Sequence, residues 1–289
     1  MWGVLPVALS VVLEVLDVYT LSWFRFLVAF GLLFVYLSFR GKLPKLKTLL
    51  ATPWNLLLGA AVFLAVHYLL FLQGLAETSA ANAQVLIQLA PVLLGLGALV
   101  VFKERYTRQQ WAGLGILGLG FGLFFIEQLQ TLVTAPSQYL FGSGVMVIAA
   151  ATWAGYALAQ KQLLKTLPST NVMLVVYGGC VLLLSPTIQP ARLLTLDLWH
   201  GGVLLFCALN TVLAYGAFAE ALEHWEASRV SAVLTLTPMV TLALAVVLSL
   251  LWPAVVTPER ITFLGFIGVL LVVVGSITIA LGRDGSARV

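Results

Sequence analysis

Polar side chains recur at four-residue spacing in two otherwise apolar stretches. The stretch AANAQVLIQLAP carries Gln84 and Gln88 ahead of Pro91, and the later stretch ASRVSAVLTLTP carries Ser231 and Thr235 in the equivalent places. Side chains four residues apart lie on the same face of a helix, so each stretch predicts a helix with a short polar ladder. In a helix surrounded by hydrocarbon, such groups must face protein or water. We therefore interpret the two ladders as facing walls of one internal cavity.

Further polar and aromatic side chains fall at a matching depth in the predicted helices. We expect these to complete the cavity: Trp2, His67, Tyr68, Trp153, Tyr156, Asn210 and Tyr215. In this hypothesis the amide, hydroxyl and imidazole groups bind a solute, and the aromatic rings shape and gate the site. An apolar cavity with a few hydrogen-bonding groups suits a small amphipathic solute. The alternative for each ring alone is core packing or a place in the interfacial aromatic belt, and a structural role explains the imidazole equally well.

The composition defines the class of protein. The chain has 289 residues, of which 61% are hydrophobic and 9% charged, and its mean hydropathy is +1.06. Apolar runs of about twenty residues recur along it, which is the length that crosses a bilayer as a helix. A transmembrane β-barrel would show alternating segments of about ten residues, whereas these runs are continuous. The sequence indicates an all-α polytopic membrane protein.

Charge and cysteine content exclude several kinds of site. The net charge of +4 comes from basic residues in short loops, where they set topology, and does not indicate a nucleic-acid partner. Cys180 and Cys207 lie in apolar runs without metal-ligand spacing, so we expect no metal site. The glycine-rich residues 113–122 lack the Lys-Ser/Thr of a nucleotide-binding loop. We predict no catalytic residues and no cofactor.

Ten membrane-spanning helices account for the apolar runs. They are predicted at residues 1–16, 20–39, 54–73, 79–102, 107–125, 139–160, 171–184, 198–221, 227–252 and 257–281. With this count, Arg192 and Arg260 lie on one side of the membrane and Arg25 lies inside a helix, while all other lysines and arginines lie on the opposite side. By the positive-inside rule, both termini are cytoplasmic.

The two halves of the chain repeat each other. Pro91 aligns with Pro238, and Trp2 aligns with Trp153 at a similar separation. Because each half has five helices, an odd number, the second half enters the membrane from the opposite side, which makes an inverted repeat typical of secondary transporters. The predicted organisation is a first repeat (1–126), an external linker (127–138), a second repeat (139–282) and a cytoplasmic tail (283–289). In this alignment the first helix is about three turns short, so we expect the native start upstream of Met1.

Three other features of the sequence predict specific contacts or locations. Arg25 lies near the outer end of the second helix, where we expect it to extend to the lipid headgroups or to pair with Glu14 or Asp17. Gly118 and Gly122 form a small-xxx-small pattern, which favours close helix packing or a dimer contact. The charged residues 220–229 are expected in a solvated cytoplasmic loop.

Several motifs resemble those of the EamA family in the drug/metabolite transporter superfamily. They are AA at 80–81 with Pro91, KERYT at 103–107, Trp2-Gly3, and Arg25-Phe26. The resemblance implies ten helices with cytoplasmic termini, and a central cavity lined by the first, third, fourth, sixth, eighth and ninth helices. It also implies alternating-access export or exchange of small metabolites, often amino acids. The second repeat departs from the family pattern because it has LWP at 251–253 in place of the KERYT segment.

The leading hypothesis is a secondary transporter of the bacterial inner membrane that exports small uncharged or zwitterionic metabolites. Its partners would be the solute and the lipid bilayer. Proton coupling, and the choice between monomer and homodimer, are left open. The predicted cavity lacks a cluster of Lys or Arg, which disfavours phosphorylated solutes because their charge would have to be desolvated.

Two alternatives belong to other classes. The first is an integral membrane enzyme acting on a lipid or lipid-linked substrate, with its polar cluster at residues 220–229 around His224. The second is a scaffold that transports nothing.

Overall fold

The computed structural model describes residues 1–103, 106–132, 137–234 and 263–281, together with Thr237, Val240, Ala243, Leu244 and Val247. Every regular element in these residues is helical. The α-helices are α1 (Leu5–Leu13), α2 (Val18–Phe39), α3 (Leu46–Ala51), α4 (Trp54–Glu77), α5 (Ala80–Leu86), α6 (Leu89–Val101), α7 (Arg108–Leu132), α8 (Ser137–Leu163), α9 (Ser169–Leu184), α10 (Ala191–Leu194), α11 (Leu198–His224), α12 (Ala227–Leu234) and α13 (Phe263–Leu281). The all-α prediction is confirmed for these residues, and the ten-helix inverted repeat stays a prediction.

Six helical stretches in the described residues are long and apolar enough to cross a membrane. They are α2, α4, α8, α11, the segment Asn82–Val101 that joins α5 to α6, and α9 with the turn that follows it. Large apolar side chains on these helices point away from the protein, among them Phe34, Ile148 and Leu182. An exposed apolar surface of this kind suits contact with lipid. The chain is therefore a multi-pass helical membrane protein.

Aspartate side chains fix the starts of two of these helices. Asp17 accepts hydrogen bonds from the backbone N–H groups of Tyr19 and Thr20 at 3.1 and 2.9 Å, which begins α2. Asp197 accepts from the backbone N–H of His200 at 2.8 Å and begins α11. That hydrogen bond, with a second one from the His200 ring, holds the pKa of Asp197 below its usual value.

Glycines allow α7 and α13 to pack with their backbones in contact. A Cβ atom added at Gly275 would lie 2.5 Å from the backbone nitrogen of Leu117 and 2.6 Å from the carbonyl oxygen of Gly113. Nothing lies within 4 Å of such an atom at Gly118 or Gly122. The close packing expected at Gly118 and Gly122 is therefore found at Gly113 instead, because Gly113 lies on the face of α7 that contacts α13.

Two predicted segments differ from the observed ones. The first helix is shorter than residues 1–16, because α1 begins at Leu5, with Pro6 in its first turn, and ends before the Asp17 cap of the next helix. Conversely, α7 continues to Leu132 and α8 begins at Ser137, so most of the segment expected as a loop is helical. That segment contains Glu, Gln and Leu. Two of these residue types are polar, which suggested a loop, but all three have high helix propensity.

Candidate functional site

A cavity of about 90 Å³ lies between helices of the two predicted repeats. Its wall is largely apolar and includes Leu5, Pro6 and Leu9 of α1. The predicted site residues that line it are Trp2, His67, Tyr68, Gln84, Gln88, Trp153 and Tyr215. The structure therefore brings together residues that are far apart in the sequence, and it does so around a space rather than in a filled core.

The two glutamines lie on either side of a break in the fourth predicted helix. Pro91 has no N–H to bond the carbonyl of Ile87, and that oxygen instead accepts from the N–H of Ala90 at 2.9 Å. The segment therefore divides into α5, which carries Gln84, and α6, which begins just after Gln88. Both side chains are buried and line the cavity. Neither amide has a hydrogen-bond partner among the residues the structure describes, so both are available to a solute.

The imidazole of His67 is held in one orientation. Its Nδ1 lies 2.9 Å from the carbonyl oxygen of Ala149 on α8. Because a carbonyl only accepts, Nδ1 must carry the hydrogen, and in the neutral ring Nε2 is then an acceptor. The ring lines the cavity beside Tyr68 and Phe71, with both centroids 5.9 Å away. His67 can thus offer a hydrogen-bond acceptor to a bound solute.

Aromatic rings close one part of the cavity. The ring of Trp2 lies 5.1 Å from Tyr215 and 6.0 Å from Trp153, measured between centroids. Phe218, which sequence reasoning missed, packs 5.0 Å from Trp153 behind them. These contacts join Trp2, which precedes α1, to α8 and α11. The rings of Trp2, Trp153 and Tyr215 therefore both line the space and connect the predicted halves.

Two predicted site residues, Tyr156 and Asn210, do not line the cavity, and two others have side chains outside the described residues. Tyr156 is fully buried and donates to the sulfur of Met173 at 3.4 Å. Asn210 donates from Nδ2 to the carbonyl oxygen of Met1 at 3.1 Å. Ser231 has its backbone in α12. Its side chain, and the whole of Thr235, lie outside the described residues.

Arg25 corrects an expectation. It neither extends to the membrane surface nor pairs with Glu14 or Asp17. Its side chain is 2% exposed and lines the cavity. Its Nε donates to the hydroxyl of Thr211 at 3.0 Å, and its guanidinium lies over the ring of Tyr68, 4.5 Å from the centroid. A charged group thus belongs to the candidate site.

A pattern in the sequence could have indicated this. Ser22, Arg25, Phe26 and Ala29 recur at helical spacing on one face of α2, and all four are buried. This face carries two small residues, Ser22 and Ala29, and one charged residue, which is typical of a surface that packs against protein rather than lipid.

The EamA-like transporter family model matches residues 1–126 and 140–281. The chain belongs to the EamA-like transporter family. This match confirms the resemblance found in the sequence motifs. Because the family consists of transporters, the protein is a membrane transporter.

Relatives of this EamA-like protein include inner-membrane transporters. "Uncharacterized inner membrane transporter YhbE" of Escherichia coli (strain K12) is 36% identical over 283 residues, covering 98% of this chain and 88% of the relative. An "Uncharacterized transporter" of Haemophilus influenzae is 32% identical, covering 98% and 92%. A "Probable amino-acid metabolite efflux pump" of Salmonella typhimurium (strain LT2) is 28% identical, covering 95% and 89%. The inner membrane is the location that the E. coli name gives.

A solved crystal structure of another protein shares the fold. It superposes with a TM-score of 0.69 at 17% sequence identity, covering 98% of this chain and 94% of that one. At this identity the likeness concerns the arrangement of helices.

The charged residues proposed for the enzymatic alternative have structural partners. Glu220 and Glu223 lie on the last turns of α11 and not in a loop. The backbone N–H of Ser169 donates to Glu223 at 2.8 Å, and its hydroxyl donates to Glu220 at 2.6 Å. These carboxylates therefore serve the N-terminus of α9, where Pro168 offers no capping side chain.

The end of α11 is completed in a similar way. Lys161 donates to the carbonyl oxygens of Leu222 and Trp225 at 2.6 and 2.7 Å. His224 is exposed, with its Nδ1 3.0 Å from the carbonyl oxygen of Glu220. These contacts are helix capping, and they give the enzymatic alternative less support than the transporter hypothesis.

Replacing Glu223 by alanine tests this assignment. We expect the free energy of unfolding to fall by about 1 kcal/mol, because the N–H of Ser169 loses its acceptor at a helix start. Transport in liposomes should stay within about twofold of wild type. Apparent melting temperature and initial transport rate are the two measurements, with Glu226→Ala as the matched control, since Glu226 pairs with Arg229 on the surface. A loss of transport without a loss of stability would show that Glu223 has a role beyond helix capping.

Proposed function

We propose that this EamA-like protein binds a small uncharged or zwitterionic metabolite in the cavity and exports it by alternating access. The observation that carries the proposal is the cavity itself, into which Gln84 and Gln88 present buried amides without partners in the described residues. A buried amide is unfavourable without hydrogen bonds, so these groups favour a solute or water as partner.

The chemistry of the wall suits an amino-acid-like solute. Each glutamine amide offers two donors and one acceptor, and His67 offers another acceptor. The faces of Trp2, Trp153 and Tyr215 can bind an ammonium group by cation–π attraction. A volume of about 90 Å³ admits several groups of the size of a water molecule. The Salmonella relative named as an amino-acid metabolite efflux pump supports the same solute class.

In this proposal the second repeat contributes hydroxyl groups from Ser231 and Thr235. Tyr156 and Asn210 would act in a different stage of the cycle. Asn210 has a second polar atom, Oδ1, that is buried without a hydrogen-bond partner in the described residues. Such an atom is unfavourable here and would gain a partner if α1 and α11 moved apart. Cytoplasmic termini and outward flux are parts of the same proposal.

Counterflow in proteoliposomes tests the proposal. Liposomes loaded with a mixture of unlabelled amino acids are diluted into each labelled amino acid in turn, with and without a pH gradient. We expect accumulation of one or a few labels well above that in protein-free liposomes. Dependence on the gradient would indicate proton coupling. If no amino acid or related metabolite accumulates, the proposed solute class is wrong.

A further inference from the structure

The guanidinium of Arg25 has fewer protein partners than it has donors. An arginine side chain carries five N–H donors. Here Nε donates to Thr211 at 3.0 Å, and Nη2 lies 3.4 Å from the hydroxyl of Tyr68. These are the hydrogen bonds that Arg25 makes within the described residues, and both acceptors are neutral hydroxyl groups. Donors of the guanidinium therefore stay available at the cavity wall.

The carboxylates nearest to Arg25 in the sequence are engaged elsewhere. Asp17 caps α2 and lies 4.0 Å from Arg192, and Glu14 is exposed at the end of α1. In the parts of the chain that the structure describes, Arg25 forms no ion pair. A buried cation without a counter-charge is unfavourable, and the cost falls when an anion enters.

The orientation of the guanidinium is fixed before any solute binds. The Thr211 hydroxyl that accepts from Arg25 itself donates to the carbonyl oxygen of Cys207 at 3.0 Å. The hydroxyl of Tyr177 donates to the carbonyl oxygen of Thr211 at 3.2 Å. Arg25 is thus held by a chain of hydrogen bonds through α11 and α9, and a preorganised group binds an anion with less loss of entropy.

We propose that the transported solute carries a carboxylate and that Arg25 binds it. This inference rests on the proposed function and narrows it, because it removes uncharged metabolites from the solute class. A carboxylate matches the planar guanidinium and can accept two parallel hydrogen bonds from it. Arg25 is the one Lys or Arg among the described cavity-lining residues. A phosphate monoester, with a charge of about −1.5 to −2, would be only partly balanced.

The other residues of the cavity wall would then bind the remaining groups of the solute. With the carboxylate on Arg25, the amides of Gln84 and Gln88 and the imidazole of His67 are left for the other polar groups of the solute. The described lining contains no carboxylate, so an ammonium group on the solute would rest against the aromatic faces of Trp2 and Tyr215.

Matched solutes test the proposal on the wild-type protein. Each amino acid that shows counterflow is compared with its own carboxamide, which has nearly the same shape but no negative charge. We expect the amino acid to be transported at least tenfold faster, since charge-assisted hydrogen bonds are the strong ones.

Equal rates for acid and amide would overturn the proposal while leaving the proposed function intact. Absence of transport for every probe would instead overturn the proposed function. Inhibition by chloride as strong as that by the amino acid would show a general anion site and overturn the carboxylate assignment.

Variants of the arginine separate binding from structure. Arg25→Gln should reduce the acid-to-amide rate ratio to near one. Arg25→Lys should keep part of the ratio, because it keeps the charge and loses the planar fork. Arg192→Gln removes an exposed arginine and should behave as wild type. A purely structural role predicts a lower melting temperature with an unchanged ratio, which would overturn the proposal. If Arg25→Gln does not fold, Thr211→Val replaces it: losing the acceptor that orients Nε should lower the ratio several-fold, and an unchanged ratio would overturn the proposal.

Discussion

Replacing Gly275 by valine is expected to separate α13 from α7 and to remove the stable fold. The added Cβ alone would lie 2.5 Å from the Leu117 nitrogen and 2.6 Å from the Gly113 oxygen. Both are backbone atoms, which cannot move aside as the end of a side chain can. Overpacking in a core usually destabilises by about 1–3 kcal/mol, and contact with backbone puts this case at or above the upper end. Monodispersity after purification and the apparent melting temperature are the measurements.

Gly118→Val is the matched control for this experiment. It makes the same change of residue in the partner helix, with the same small change in helix propensity, at a position where nothing lies within 4 Å. We expect its stability to stay within about 1 kcal/mol of wild type. Equal damage from both variants would show that a branched side chain in the helix, rather than the contact between α7 and α13, determines the result. Damage from Gly118→Val alone would place the critical contact on a partner chain.

Replacing both Gln84 and Gln88 by leucine is expected to reduce transport on the order of a hundredfold. Each substitution removes a buried amide that would bond the solute, and each such loss is worth about 1–3 kcal/mol. Leucine is similar in size, and neither amide bonds the protein in the described residues. The melting temperature should therefore stay the same or rise. The initial rate of counterflow, normalised to the amount of folded protein in the liposomes, is the measurement.

Gln109→Leu provides the comparison for that variant. Gln109 is exposed at the start of α7, so its replacement changes the surface without touching the cavity. Its transport rate should match wild type. If the double variant also matches wild type, the amides do not bind the solute. If the double variant fails to fold, the amides serve the fold rather than a solute.

Much of the fold was predictable because it depends on local sequence. Apolar runs of bilayer length predict membrane helices wherever they occur, and the ends of α2 and α9 fall within two residues of the predicted positions. The break at Ile87 was also within reach, since Pro91 lacks the N–H that a continuous helix needs. Membership of the EamA-like family was correctly identified from short motifs at fixed places.

The site was only partly predictable, because burial depends on neighbours from distant helices. The helical spacing of Ser22, Arg25 and Ala29 indicates the buried face of α2. The partners Thr211 and Tyr68 lie on distant helices, and the local sequence does not predict them. Asn210 is drawn away from the cavity by a backbone carbonyl at Met1, a group that every residue has. Local pattern therefore placed Gln84 at the cavity wall, because its face is fixed by its own helix, whereas the positions of Arg25 and Asn210 depend on tertiary contacts.

The break between α5 and α6 has a mechanical consequence. Gln84 lies in α5 and Gln88 lies at the joint just before α6, so a bend at this joint would change the spacing between the two amides. A solute that binds both amides would bind more tightly at one bend angle than at another. Under the proposed alternating access, a bend at this joint during the change from one open side to the other would weaken the binding of the solute.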